Sequence, residues 1–141
     1  MQKTPEWWLK LLLRLWGAPP LLAIVAFVMP HSWMAAVHEW LGMGLLPDKP
    51  IVDYLARYAS AFSVFYGVVL FVFAGDVHRY ARLITIQAIL IIVFSAVGAV
   101  FGWRAGMPWW WIASDVASCW LASGAMLWLQ KRIVVSRAAT S

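Results

Sequence analysis

Four runs of about twenty residues, each dominated by apolar side chains, constrain this chain more than any other feature. They lie at about 11–29, 51–74, 83–103 and 108–129. At about 1.5 Å per residue, a helix of that length crosses a hydrocarbon layer about 30 Å thick. An isolated strand would leave its N–H and C=O groups unpaired in lipid, and the alternation of a β-barrel is missing. The expected fold class is therefore all-α: an integral membrane bundle of four transmembrane helices, forming one domain over residues 1–141.

Composition agrees. The chain is 64% hydrophobic and 12% charged, whereas soluble domains have about 45–50% apolar and about 25% charged residues. With 141 residues the apolar runs leave no length for a separate soluble module. The net charge of +5 and pI near 9.8 do not imply nucleic acid, because no basic stripe interleaved with aromatics lies outside the apolar runs. Lys and Arg concentrate instead where a four-crossing path returns to one side. Lys3, Lys10, Arg14, Arg79, Arg82, Lys131, Arg132 and Arg137 fall there, against Lys49, Arg57 and Arg104 on the other. That asymmetry predicts both termini in the cytoplasm of a multi-pass protein. Indoles mark the two interfaces: Trp7, Trp8 and Trp128 on the inner side, and Trp33, Trp40, Trp103, Trp109, Trp110 and Trp111 on the outer.

The first run has the flanks of a secretory signal, but no small-x-small cleavage site follows "AIVAFVMPHSW", so a retained segment is expected. Before it, "EWWLKLLLRLW" reads as an amphipathic lead-in with Lys10 and Arg14 on one face. "GAPP" should then redirect the chain, since Pro19 and Pro20 favour a kink or a helix start. Cys119, the single cysteine, reads as a small buried hydrophobe.

Polar chemistry gathers in one connection, Met29 to Tyr58, which holds Glu39, Asp48, Lys49, Asp53, Arg57, His31 and His38. Ser32 suits an N-cap, and "WMAAVHEWLGMG" predicts a short interfacial or re-entrant helix over about 32–42, stopped by Gly42 and Gly44. After "LPDKP", the second span begins with Asp53 in its first turn and Arg57 at i+4 on the same face, followed by Ser60, Val64 and Gly67. An arginine two turns into a span should face protein or water. Asp115, at similar depth in the fourth span, is its expected partner, with Asp53 competing or assisting. Gln87 completes the expected interhelical polar cluster. Gly67, Ser95, Gly98 and Gly102 supply small faces for helix packing.

No catalytic constellation emerges. "HEW" lacks the second histidine of HExxH, because Gly42 occupies that place, and His31 and His38 are too far apart along a helix to share a metal. The sequence requires no cofactor. His38, Trp109 and Trp110 are the candidates for contact with a pigment, quinone or lipid, although an aromatic belt also accounts for the tryptophans.

"WLGMG", "LPDKP" and "YLAR" resemble a stretch recurring in small, uncharacterised four-helix membrane proteins of bacteria. In size and helix count the chain is also loosely similar to the DoxX-like proteins. The first resemblance implies a bacterial inner-membrane location, and the second an association with respiratory or redox partners. The leading functional expectation is a non-enzymatic accessory or scaffolding subunit of a larger membrane complex, of respiratory or photosynthetic type. Its partners would be membrane lipids and other membrane subunits or further copies of itself. The alternatives are a small transporter or channel component with a polar outer-face cavity, and a membrane redox or lipid-modifying enzyme.

Overall fold

The computed structural model describes residues 4–138, with side chains described through Val135. Lys3 and the side chain of Arg137, used in the charge comparison, lie outside the described residues. The described residues form five helices: α1 (Pro5–Val28), α2 (His31–Trp40), α3 (Pro50–Gly75), α4 (Ala81–Arg104) and α5 (Trp109–Ala138). α1, α3, α4 and residues Trp109–Val135 of α5 are each long and apolar enough to cross a membrane. This is the expected architecture of four membrane helices with a short helix between the first and second.

The helix boundaries differ from the sequence reading most informatively in α1, α2 and α5. α1 is one continuous helix that absorbs the amphipathic lead-in and runs through Pro19 and Pro20. A proline has no N–H, so the carbonyls of Leu15 and Trp16 lose their i+4 donors. The helix nevertheless continues on both sides of the gap, where leucines and alanines favour it. α2 starts one residue earlier than expected, and Pro30, not Ser32, is its N-cap. The Pro30 carbonyl accepts the N–H groups of Trp33 and Met34 at 3.0 and 3.3 Å. α5 continues about two turns past the apolar run, through Lys131 and Arg132. Lys and Arg favour helix, and their long stems allow the charge to reach water while the backbone stays helical.

By packing, the chain separates into two compact units. The first combines the residues through Leu15 with those from Phe71 onward; the second is Trp16–Leu70. In the first unit, Leu9 and Leu13 of α1, Ile84 and Ala88 of α4, and Met126 of α5 are buried. α4 and α5 pack along each other and are tied by polar bonds. Trp120 Nε1 donates to Ser95 Oγ at 3.1 Å, which itself donates to the Ile92 carbonyl at 3.0 Å. Thr85 Oγ1 donates to Gln130 Oε1 at 2.7 Å, and Gln130 Nε2 donates to the Ala81 carbonyl at 2.7 Å. The α3–α4 turn is organised by Asp76, whose carboxylate accepts the N–H groups of Arg79 (3.0 Å) and His78 (3.2 Å). The Arg79 amide does most to hold the Asp76 pKa below its ordinary value. This support is present above the usual aspartate range and is lost as pH falls through the lowered pKa.

In the second unit, α2 buries no residue. Its C-terminus closes in a Schellman arrangement: Gly42 takes φ of 74°, and the Met43 N–H reaches the His38 carbonyl at 3.2 Å. The expectation that Gly42 and Gly44 stop this helix is met. α1 and α3 approach each other closely at Gly67, where a Cβ would lie 2.8 Å from the Gly17 carbonyl oxygen and 2.9 Å from Leu21 Cδ2. Of the other predicted packing positions, Gly102 faces Ile112 at van der Waals distance and Ser95 is buried. Gly98 is different: a Cβ there would meet nothing within 4 Å among the described residues. Gly98 and Gly102 therefore do not act together as a close-packing pair. Gly67→Ala should therefore destabilise the protein by about 1–3 kcal/mol, because a carbonyl oxygen cannot rotate out of the way. Gly98→Ala should stay within about 0.5 kcal/mol of the parent. Unfolding in mixed detergent micelles compares the two.

Candidate functional site

Arg57 lies in the eighth position of α3, about 10 Å along the helix from its start. α1 ends at Val28, and Pro30 cannot supply an N–H, so the last carbonyls of α1 lack helical donors. Arg57 provides them. Its Nη1 donates to the Phe27 carbonyl at 2.6 Å and its Nη2 to the Met29 carbonyl at 3.0 Å. Its Nε donates to Asp53 Oδ2 at 3.1 Å. The guanidinium thus sits at the negative end of the α1 dipole, while Asp53 occupies the first turn of α3, where the dipole favours an anion. A planar fork with donors on several edges suits this task, and a lysine ammonium does not. Asp53, expected to compete or assist, is therefore the carboxylate that holds Arg57 within this unit, beside the two backbone carbonyls.

The polar face extends to His31. Its Nδ1 lies 3.4 Å from Asp53 Oδ1 and its Nε2 lies 3.9 Å from Asp48 Oδ1. Sequence reasoning considered His31 only as a metal ligand and missed this role. The signal available was its position directly after Pro30, where the chain leaves α1 and must pass the first turn of α3. The face continues through the half-buried Ser60 and Val64 to the buried Gly67, as inferred, while Tyr54, Leu55, Tyr58 and Phe62 on the other side of α3 are exposed.

Of the remaining candidates, His38 belongs to the second unit and the others to the first. Gln87 is engaged in α4–α5 packing, where its Nε2 faces Met126 Sδ at 3.6 Å. Its buried Oε1 has no hydrogen-bond partner among the described residues. Asp115 is exposed on α5, and no ion pair or side-chain hydrogen bond engages its carboxylate among the described residues. Ser114 and Ser118 beside it donate to the carbonyls of Trp111 and Asp115, both at 2.9 Å. His38 is half-buried, with Nδ1 2.9 Å from the Gly44 carbonyl. Donation there leaves Nε2 of the neutral ring as an acceptor. Trp109 is 71% exposed, and Trp110 packs edge-on against Trp111 with 5.7 Å between ring centroids. His78, in the α3–α4 turn, is bonded through Nε2 to Glu6 Oε2 at 3.1 Å. Glu6 also pairs with Lys10 at 2.7 Å.

No protein-family model, curated protein or solved structure matches the chain. Chemically, the Arg57 cluster is a clasp: each charge faces an opposite charge or a helix end. Arg57→Met should cost about 1–3 kcal/mol of stability by leaving the Phe27 and Met29 carbonyls uncapped. Arg57→Lys should recover only part, which detergent unfolding of the three proteins would show.

Proposed function

We propose that the protein is a non-enzymatic accessory or scaffolding subunit of a larger membrane assembly. The observation that carries this reading is the α5 face around Asp115. This carboxylate is exposed about 9 Å beyond Trp109, inside a helix apolar enough to span a membrane. On insertion scales a charge at mid-bilayer costs about 2.5–3.5 kcal/mol, and less toward the interface. A partner helix presenting a cation or hydrogen-bond donors would remove that cost. The small residues Ser114, Ala117 and Ser118 beside Asp115 would let such a helix approach closely.

Lateral exposure supports the same reading. Only 11–22% of the most apolar window of each span is buried, so most of the helical surface is left for lipid or for partner helices. The Lys and Arg asymmetry supports an orientation with both termini in the cytoplasm, and the resemblance to small bacterial membrane proteins supports a bacterial inner membrane. The transporter alternative gains no support from Arg57, whose donors reach backbone carbonyls at a helix end.

Affinity purification from native membranes in mild detergent tests the proposal. The parent protein should run as a particle heavier than its own 15.9 kDa plus detergent, with stoichiometric partner subunits or further copies. Asp115→Leu should insert normally but retain at least tenfold less partner. A variant that keeps its partners would contradict the role given to this face.

A further inference from the structure

We propose that the groove between α4 and α5, at the end where α4 begins, binds one anionic phospholipid of the surrounding bilayer, with the phosphate held by Arg82 and Lys131. The groove encloses about 690 Å³, and its apolar wall includes Val77, Leu127 and Val134. That volume is in the range of about 300–1,000 Å³ that small-molecule sites occupy. The polar groups of the wall are matched to one another: Thr85 bonds to Gln130, and Gln130 bonds to the Ala81 carbonyl. An acyl chain lying there would leave neither of them without a partner.

Two cations share the groove with these apolar residues. Arg82 and Lys131 both line the groove, and no ion pair engages either among the described residues. The acidic groups at this end are already committed. Glu6 faces Lys10 and His78, and the Asp76 carboxylate accepts the amides of its own turn. α4 starts here with no acidic residue in its first turn and no side-chain cap at Tyr80. The positive end of its dipole therefore adds to the two cations. An apolar groove that also carries two cations selects an anionic amphiphile, and in a bilayer that means a phospholipid with a net negative headgroup. This inference does not depend on the accessory-subunit reading, because the groove and the Asp115 face involve different residues.

The test uses the full chain in neutral detergent, titrated with phosphatidylglycerol, with phosphatidylcholine of the same acyl chains, and with inorganic phosphate. Native mass spectrometry reads the lipid retained per chain. Phosphatidylglycerol should be retained, phosphatidylcholine should wash off at the same concentration, and inorganic phosphate should not compete. Arg82→Gln and Lys131→Gln should each weaken retention about fivefold and together about 25-fold, following the usual contribution of one basic residue at an anionic surface. Arg82→Lys with Lys131→Arg should bind like the parent. Val134→Trp, which fills the groove without changing charge, should also reduce retention and serves if the double Gln variant fails to fold. Equal retention of the two lipids, an unaffected Val134→Trp variant, or an unaffected, folded double Gln variant would overturn the proposal. Displacement by inorganic phosphate would overturn it in favour of a free-anion site.

Discussion

A charge on a membrane-crossing helix must be answered by protein or water, and Arg57 and Asp115 are treated in opposite ways. Arg57 is answered within its own unit. It donates to two carbonyls at the end of α1 and to Asp53, so one side chain closes a helix terminus, neutralises an anion and holds α1 beside the start of α3. Asp115 presents its carboxylate at the surface of α5. The first arrangement stabilises the fold. The second is the one the proposed partner would answer.

Between these two extremes, helix association follows from the weakness of hydrophobic driving forces in lipid. Packing and interhelical hydrogen bonds have to supply the attraction. The first unit uses the Trp120–Ser95 and Thr85–Gln130 bonds, and the second uses the close approach at Gly67 together with the Arg57 clasp. Each polar group in these ties reaches a defined partner. Gln87 Oε1 is a buried exception among the described residues, and nothing in the structure explains it.

The spans were legible in the sequence because the length of an apolar run maps directly onto the thickness of a bilayer. The boundaries of α3 and α4 differ from expectation by only one or two residues. α1 and α5 were harder. Two adjacent prolines look like a break, yet a helix long enough to bond on both sides of the gap continues through them, and basic residues at the end of an apolar run mark an interface without stopping the helix. The Asp53–Arg57 pair was legible from its i, i+4 spacing, and so was the inward direction of its face. The principal acceptors of Arg57 were not, because backbone carbonyls at the end of another helix leave no mark in side-chain patterns. The α4–α5 groove escaped for a related reason: Arg82 and Lys131 are distant in sequence and read separately as topology signals, and only their antiparallel helices bring them to one cavity.

The central claim is that the Asp115 face of α5 is covered by protein in its native membrane. Its most direct test is a photo-crosslinking residue placed at Ser118, irradiated in intact membranes, with a second placed at the exposed Phe94 of α4 as a reference. Covering by a partner predicts one discrete adduct at position 118, heavier than the chain by the mass of a protein, while position 94 gives lipid adducts. Lipid adducts alone at both positions would contradict the account.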